Sequence, residues 1–453
     1  MFKVGDVTNN VLIGKDGWMY LWQGNQRQFD FLMGRLKPSE ASINNFVNNI
    51  KQRAQFCKSI NAQYLHLVYP SKPVIAPEKL PDAIQAETKS LYERAYETLV
   101  MDQNLPQILY PKATLLSENK KEPVFRTCDT HMTDFGNLVI AQAVLSYFKE
   151  DTQCLATLKE RREARLGDLT KMAGITSPIS ERRLQSPHNI TQIWDNRAFL
   201  KSNTDNIAIS YNPKSYSTKR LLAIGDSFFR DSMKFLSIFY RDIVYIRSDL
   251  FQSDAAHLFA PDAIITSNAE RYLSNIKLDA DGTSILLRCF NKDDYHPSPA
   301  FKDALTAQLS HRTYPKRYLN WTRAIESLCF EQLGSGVCND QISFPADDHG
   351  FVRSMGRDPS IIFANNDLDP SLRCRLVINL ESQAIGNAQI FYQIPPGSGK
   401  KFDEERSRKF PVVSGMNRLE CELPADRYPG AIRFDPLDCE GLFKIHSMDV
   451  LPD

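Results

Sequence analysis

The stretch LLAIGDSFFRDSMKFLSIFY, Leu221 to Tyr240, changes its hydrophobic pattern in the middle. Its first four residues are all apolar, which is typical of a short buried strand. Gly-Asp-Ser at residues 225–227 interrupts this run. Apolar residues then recur at helical spacing, at Phe229, Met233, Leu236 and Tyr240. The pattern predicts a strand, a tight turn and a helix, with Ser227 at the turn.

Ser227 at such a turn would hold its hydroxyl above the sheet, at the N-terminus of a helix. Backbone N–H groups and the helix dipole favour negative charge there, which is what the intermediate of an acyl transfer develops. The same three residues would also serve as an ordinary strand-to-helix turn with a capping residue. This stretch alone therefore leaves a catalytic and a structural interpretation open.

A second stretch, residues 124–148, contains Asp129 and His131 just before a predicted helix. On extended backbone, alternate side chains point the same way, so a carboxylate and an imidazole can share one face. A serine nucleophile needs a base, and the base needs an acid that orients it. Asp-x-His could instead cap the helix that follows. Because Ser227 is also present, we favour a Ser-His-Asp triad.

Asp-x-His upstream of Gly-Asp-Ser-Phe resembles the SGNH hydrolase-like polysaccharide O-acetyltransferases of the alginate acetylation type. Three further stretches are similar to that family: residues 11–21 (VLIGKDGWMYL), 70–81 (PSKPVIAPEKLP) and 261–273 (PDAIITSNAERYL). The resemblance runs from about residue 10 to about residue 275. The sequence departs from the family at Met132, where a tryptophan usually follows the histidine.

The resemblance implies O-acetylation of hydroxyls on a bacterial surface or capsular polysaccharide. Ser227 would attack an acyl donor with His131 as the base and Asp129 supporting the imidazole, and a sugar hydroxyl would then take the acyl group. No bound cofactor is expected. The acyl donor would be acetyl-CoA or an acetyl group delivered by another protein of polysaccharide biosynthesis.

Two alternatives stay open at this point. The same triad would serve a carbohydrate acetylesterase, because transfer and hydrolysis differ only in whether water is excluded. The alternative from another class is a catalytically silent glycan-binding or scaffold protein, and the complete set of three residues argues against it.

Further candidate site residues lie beside these motifs. The backbone N–H of Ser227 is the first candidate for an oxyanion donor, and Asn268, which follows a predicted strand, is the second. Arg126, Arg230 and Arg271 could contact the glycan. Structural salt bridges are the simpler explanation for each of these arginines.

Composition argues against several classes of function. A net charge of +1 over 453 residues gives no sign of a nucleic-acid partner, and no apolar run approaches the roughly 20 residues of a membrane span. Nine cysteines without C-x-x-C spacing and eight unclustered histidines predict reduced thiols and no metal site. The N-terminal MFKVGDVTNN lacks a signal-peptide core, which predicts a cytoplasmic protein, or a periplasmic one if a signal peptide has been removed.

Strands and helices alternate through residues 1–330, which predicts an α/β domain with an SGNH-like, mostly parallel sheet flanked by helices. Its predicted elements are a hairpin of Val11–Ile13 and Trp18–Trp22, a helix capped by Ser39, strands at Tyr64–Tyr69, Leu221–Ile224, Ile243–Ile246, Ala263–Thr266 and Ser284–Arg288, helices at Ala86–Val100 and Ala300–Leu309, and a loop at Pro70–Pro81.

Residues 331–453 have a different character, with short strand-like runs between Gly, Pro, Asn and Asp. The runs are Ile361–Phe363, Leu376–Leu380, Ala388–Ile394, Lys409–Val413, Leu419–Leu423, Ala431–Phe434 and Leu442–Ile445. They predict an all-β sandwich. The segment is similar to the carbohydrate-binding β-sandwich modules appended to bacterial glycan-processing enzymes. A structural or oligomerising role is an equal alternative.

Overall fold

The structure, a computed structural model, describes residues 2–185, 191–328, 336–343, 351–363, 374–393, 401–423 and 431–452. It divides into two compact units, Met1–Pro297 and Ser298–Asp453. The division precedes the boundary predicted at residue 330, since two helices before that residue belong to the second unit. Residues 329–335, which include the predicted boundary and Cys329, lie outside the described residues.

The first unit combines short antiparallel hairpins with one large sheet and its flanking helices. Its strands are β1 (Val7–Thr8), β2 (Val11–Ile13), β3 (Met19–Leu21), β4 (Gln63–Tyr69), β5 (Ile108–Leu109), β6 (Lys159–Arg165), β7 (Ile179–Gln185), β8 (Gln192–Asp195), β9 (Ile207–Tyr211), β10 (Ser217–Gly225), β11 (Tyr240–Arg247) and β12 (Ala263–Ala269). Its helices are α1 (Gln28–Leu32), α2 (Glu40–Ser59), α3 (Lys72–Ile75), α4 (Asp82–Glu87), α5 (Leu91–Ala95), α6 (Glu97–Asp102), α7 (Lys112–Asn119), α8 (Asp134–Tyr147), α9 (Asp168–Met172), α10 (Ser227–Phe239), α11 (Ser253–Phe259) and α12 (Ile285–Phe290).

The large sheet has the strand order β5-β4-β12-β10-β11-β9-β8. Strands β5, β4, β12, β10 and β11 run parallel, and β9 and β8 join antiparallel at one edge. Leu221–Ile224 of β10 pairs on one side with Ile243–Ile246 and on the other with Ala263–Thr266. These runs are buried, as expected for central strands covered on both faces. The predicted mostly parallel α/β architecture is confirmed.

Two predicted features near the N-terminus, a hairpin and a helix cap, are also confirmed. Strands β2 and β3 pair antiparallel around the turn at Lys15–Gly17. Helix α2 begins after Ser39, whose side chain accepts a hydrogen bond from the backbone N–H of Ser42. Both features depend on neighbouring residues, which explains why the sequence indicates them.

Three predicted elements of the first unit are wrong. Residues 70–81 are not all loop, because they contain α3 and a 3₁₀ turn at Pro77–Lys79. The single helix predicted over residues 86–100 is broken into α4, α5 and α6, with Ser90 capping α5. Residues 284–288 are not a strand, because the Ser284 side chain caps α12 there.

The second unit begins with two helices, and the rest of its described residues form mainly strands, with a 3₁₀ turn at Glu404–Arg406. These elements are α13 (Pro299–Leu309), α14 (Pro315–Leu328), β13 (Gly336–Cys338), β14 (Ile342–Ser343), β15 (Val352–Ser354), β16 (Ile361–Phe363), β17 (Cys374–Ser382), β18 (Gly386–Tyr392), β19 (Ser407–Val412), β20 (Gly415–Leu423), β21 (Ile432–Asp435) and β22 (Gly441–Pro452). The seven predicted strand-like runs correspond in order to β16 through β22, although Ile394, at the end of one run, is outside the described residues.

The strands of the second unit form two antiparallel five-stranded sheets, with the orders β13-β16-β21-β18-β19 and β14-β15-β22-β17-β20. Side chains from both sheets share one apolar core, among them Ile390 and Phe434 from the first sheet and Ile378 and Phe443 from the second. The predicted β-sandwich is therefore confirmed, with two helices preceding it.

Among the helices that the structure describes, none is both long enough and apolar enough to cross a membrane. Seven cysteines in the described part of the chain carry free thiols: Cys57, Cys128, Cys154, Cys289, Cys338, Cys421 and Cys439.

Candidate active site

The turn that presents Ser227 is fixed by Asp226. Strand β10 ends at Gly225, and Asp226 caps α10 by accepting a hydrogen bond from the backbone N–H of Phe228 at 2.9 Å. Its second carboxylate oxygen accepts from the backbone N–H of Ala269 at 2.6 Å, at the end of β12. The turn is thus bound both to its own helix and to the neighbouring strand, and the partly exposed Ser227 follows it.

Gly225 is required at this turn because the neighbouring strand approaches closely. A Cβ atom on residue 225 would lie 2.1 Å from the Oγ of Ser267, far inside van der Waals contact. The Tyr245 hydroxyl lies 2.8 Å from the carbonyl oxygen of Asp226, to which it donates a hydrogen bond. Packing on both sides therefore holds the turn in one conformation.

The Asp-x-His segment lies on the turn that precedes α8. The backbone N–H of Arg126 donates a hydrogen bond to the backbone carbonyl of His131 at 3.2 Å, closing a small antiparallel bridge. The side chain of Thr133 caps α8 by accepting from the backbone N–H of Gly136 at 3.0 Å. Since Thr133 caps this helix, the alternative interpretation of Asp-x-His as a helix cap is wrong.

The structure brings Asp129, His131 and Ser227 together. The Nε2 of His131 lies 3.0 Å from the Oγ of Ser227, and the Nδ1 of His131 lies 2.8 Å from an oxygen of Asp129. The backbone N–H of His131 donates to the same oxygen at 2.9 Å. These contacts suit the tautomer in which Nδ1–H donates to Asp129 and Nε2 accepts from the Ser227 hydroxyl.

Asp129 is buried, and its environment favours the carboxylate. Burial by itself would raise the pKa of Asp129, but the hydrogen bond and charge of His131 and the nearby Arg126 guanidinium outweigh it, so the pKa is held below its usual range. The backbone N–H of Asp168 donates to the second oxygen of Asp129 at 3.2 Å. Asp129 is therefore suited to orient an imidazole and to stabilise its positive charge.

The surroundings of His131 favour its protonated form. Burial lowers the pKa of His131, but the hydrogen bond with Asp129 and the charges of Asp231, Asp129 and Asp168 more than offset that effect and raise the pKa above its ordinary value. The imidazole also lies against the ring of Phe228, with centroids 5.2 Å apart. Such a histidine is a strong enough base to accept a proton from a serine hydroxyl.

Sequence reasoning missed Asp168. Its carboxylate accepts hydrogen bonds from the backbone N–H of Thr130 at 2.8 Å and from the Thr130 hydroxyl at 2.5 Å, and one of its oxygens lies 3.6 Å from the Nδ1 of His131. A Cβ on Gly167 would meet the Cys128 carbonyl at 2.0 Å, so glycine allows this close approach. No motif surrounds Asp168 in the sequence, so only the fold brings it to the site.

Side-chain atoms of Asp129, His131 and Asp168 that could bind a metal ion lie within 4.8 Å of one another, one from each residue. The same atoms already accept or donate hydrogen bonds within the cluster. We therefore assign them to the hydrogen-bond network around His131, and the absence of a metal site stays a prediction.

A small pocket, about 20 Å³ in volume, opens beside Phe228 and Arg271. Its other lining residues include Tyr69, Ser71, Lys72 and Thr130. The Arg271 guanidinium lies over the ring of Phe228, 5.2 Å from the centroid, and over the ring of Tyr272, at 4.9 Å. Of the three arginines considered as glycan contacts, Arg271 thus lines the pocket that also contains Phe228, the residue after Ser227.

The other two arginines have structural partners. Arg126 is 4% exposed and lies 3.3 Å from a carboxylate oxygen of Glu181 and 3.8 Å from one of Asp129. Arg230 pairs with Asp195 at 2.5 Å. A role in structural salt bridges therefore describes Arg126 and Arg230 better than contact with a glycan does.

Asn268, the second candidate for an oxyanion donor, lies near the end of β12. It lines a separate cavity with Gly225, Asp226, Arg247 and Tyr272, among other residues. It therefore borders the same turn as Ser227, and its role at an oxyanion stays a prediction.

Ser227 lies at a strand-to-helix turn on the carboxyl edge of a mostly parallel sheet, and it is hydrogen-bonded to an Asp-His pair. This arrangement defines an SGNH-like α/β domain. Residues 11–207 match the family model described as the SGNH hydrolase-like domain of the acetyltransferase AlgX. That stretch, a little under half of the chain, therefore carries this family's domain, which confirms the resemblance found in the sequence. The match includes Asp129 and His131 but ends before β10 and Ser227.

Similar solved structures include the O-acetyltransferase domain of Pseudomonas putida AlgJ, at 16% identity and a TM-score of 0.42 over 62% of this chain and 99% of that one. Pseudomonas aeruginosa AlgX is similar at 12% identity and a TM-score of 0.38 over 97% and 94%. A DHHW family protein from Eubacterium siraeum is similar at 13% identity and a TM-score of 0.45 over 61% and 95%. Scores this low support no statement about activity. A search of curated proteins finds no match.

Proposed function

We propose that this chain is an O-acetyltransferase that acetylates hydroxyls of a bacterial polysaccharide through an acyl-enzyme on Ser227. One observation carries the proposal: His131 contacts the Ser227 hydroxyl at 3.0 Å through one ring nitrogen and Asp129 at 2.8 Å through the other. The family of residues 11–207 supports acetyl transfer as the reaction.

In the first half of the reaction, the Nε2 of His131 takes the proton from Ser227 as Oγ attacks the carbonyl carbon of the acetyl donor. Asp129 stabilises the imidazolium that forms. As the tetrahedral intermediate collapses, the proton passes from Nε2 to the leaving group, and the acetyl group stays on Oγ. The developing oxyanion would be met by the backbone N–H of Ser227 at the start of α10, with Asn268 as the second proposed donor.

In the second half, a sugar hydroxyl takes the place of the leaving group. The Nε2 of His131 removes its proton, the sugar oxygen attacks the acetyl carbonyl, and collapse returns the proton to Ser227 Oγ. Arg271 lines the small pocket beside Phe228, where its guanidinium could donate hydrogen bonds to oxygens of the sugar or of the acetyl group. The donor would be acetyl-CoA or an acetyl group passed on by a partner protein.

Partition of the acetyl group between sugar and water tests this proposal. We expect the purified protein, given an activated acetyl ester and an unacetylated bacterial polysaccharide, to place acetyl groups on the polymer, as detected by NMR of the polymer. Release of free acetate with no polymer acetylation, at saturating polymer from several sources, would indicate a carbohydrate acetylesterase instead. Absence of both products with every ester tried would favour a silent glycan-binding protein.

The acylation rate should depend on pH through His131. The imidazole must be neutral to take the serine proton, and its raised pKa keeps it protonated to a higher pH than an ordinary histidine. We therefore expect the rate to fall as the pH is lowered through a value above about 6.5. The measurement is the presteady-state release of the leaving group from an activated ester across the pH range.

Asp231→Asn is the matching variant, because the Asp231 carboxylate contributes to the raised pKa of His131. It should move the acidic limb of the profile to lower pH. Asp82→Asn, at an exposed carboxylate paired with Lys15, should leave the limb in place. A rate that is independent of pH across this range would exclude His131 as the general base.

A further inference from the structure

Lys72 is a buried lysine that the proposed reaction does not use. It begins α3, directly after Pro70 and Ser71, and is 5% exposed. Its ammonium nitrogen lies 5.0 Å from the centroid of the Trp18 ring and 5.2 Å from that of Tyr20. The long side chain thus reaches from the turn after β4 to the N-terminal hairpin of β2 and β3.

The ammonium of Lys72 donates to backbone carbonyls of two separate segments. The distances are 2.7 Å to the Met19 oxygen in β3, 2.8 Å to the Thr127 oxygen and 3.1 Å to the Asp129 oxygen. A lysine ammonium has three N–H donors, so each carbonyl can accept one of them. Lys72 therefore ties the backbone on both sides of residue 128 to the hairpin.

A buried ammonium is costly to the fold. Burial lowers the pKa of Lys72 to about 7, although the nearby side chains of Cys128, Asp168 and Asp129 act to raise it. Among the residues that the structure describes, no carboxylate oxygen lies within salt-bridge distance of Nζ, and the carbonyls are its polar partners. An apolar side chain of similar length would fill the same space without that desolvation cost, but it would leave the three carbonyls without this donor. The buried charge therefore points to these hydrogen bonds, and not to packing, as the task of Lys72.

That task follows from where two of the carbonyls lie. Asp129 must meet the Nδ1 of His131 at 2.8 Å while its own backbone lies in the loop that the bridge between Phe125 and Met132 closes. A misplacement of ~1 Å in a catalytic group can cost on the order of 10²-fold in rate. We propose that Lys72 is a positioning residue for acyl transfer, an inference that rests on the proposed function. Its hydrogen bonds to the carbonyls of Thr127 and Asp129 hold the Asp129 carboxylate against His131.

Lys72→Met tests the proposal, because methionine keeps the length of the side chain and removes every donor. We expect a folded protein whose kcat for a small activated acetyl ester falls by roughly 10- to 100-fold, with KM nearly unchanged. Lys79→Met is the matched control on the same segment, since the Lys79 ammonium pairs with the side chain of Asp16 rather than with backbone at the site. It should keep the wild-type kcat.

A second readout separates positioning from a structural role. The Nδ1 proton of His131, hydrogen-bonded to Asp129, should give a downfield proton NMR signal in the wild type, assigned by its loss in His131→Gln. We expect Lys72→Met to shift or remove that signal, and Lys79→Met to retain it. A folded Lys72→Met protein with normal kcat and an unchanged signal would overturn the proposal.

Lys72→Arg covers the case in which Lys72→Met does not fold. The guanidinium keeps a buried charge and donors but places them differently, so we expect a folded protein with a lowered kcat and a displaced His131 signal. If neither variant folds, Lys72 serves folding alone and the proposal is overturned. Absence of an acyl-enzyme in the wild type would instead refute the proposed function, while the NMR signal would still report on the contact between Asp129 and His131.

Discussion

Ser227→Ala is expected to lower the turnover of an activated acetyl ester by at least roughly 10³-fold. The variant removes the nucleophile but leaves its surroundings intact, because Asp226 rather than Ser227 caps α10. The hydroxyl is partly exposed and contacts His131, so its loss should cost about 1 kcal/mol of stability or less. The measurement is kcat/KM together with the thermal unfolding midpoint.

Two comparisons sharpen this result. Ser117→Ala, at an exposed serine on α7, should leave both kcat/KM and stability unchanged. His131→Gln should lose about as much activity as Ser227→Ala, and the double variant little more, because the members of such a unit are not additive. Turnover in Ser227→Ala that equals the wild type would show that another group carries the reaction.

Glu270→Leu is expected to destabilise the first unit by several kcal/mol, on the order of 3–5. The Glu270 carboxylate is fully buried just after β12. It accepts hydrogen bonds from the backbone N–H groups of Ser71 and Tyr92, at 2.8 and 3.1 Å, and from the hydroxyls of Ser90 and Tyr110, at 2.6 and 3.1 Å. Leucine has a similar size but leaves these donors buried without that acceptor.

Urea denaturation of Glu270→Leu measures this loss. Glu78→Leu, at an exposed glutamate near α3, is the matched control and should change the free energy of unfolding by less than about 0.5 kcal/mol. A loss below about 1 kcal/mol in Glu270→Leu would mean that the network around this carboxylate contributes little to the fold. Because Ser71 precedes Lys72, the same variant should also lower activity in the protein that remains folded.

The parts of the site that the sequence reveals are those encoded by neighbouring residues. The strand, turn and helix around Ser227 follow from a run of apolar residues, a glycine and a helical period, all within one stretch. Asp129 and His131 share a short segment, so their spacing alone suggests that they can cooperate. In each case the pattern lies within one continuous stretch of the sequence.

Other features depend on contacts between distant segments, which periodicity does not record. Asp168 and Lys72 reach the site only through the fold, and in the sequence one lies in a polar region and the other in what was predicted to be a loop. The helix predicted over residues 86–100 breaks at Ser90, whose hydroxyl donates to the distant Glu270. Likewise, the helical pattern of Ala300–Leu309 does not show that α13 belongs to the second unit.

The role of Ser227 is the central claim, since the family match ends before this residue and geometry alone connects it to His131. Mass spectrometry of the intact protein, rapidly quenched in acid after mixing with an activated acetyl ester, tests it most directly when peptide mapping follows. We predict one added acetyl group, on the peptide that contains Ser227, and none in Ser227→Ala. Turnover by the wild type with no acetyl group on Ser227 at any quench time, or equal labelling of Ser227→Ala, would contradict the acyl-enzyme mechanism.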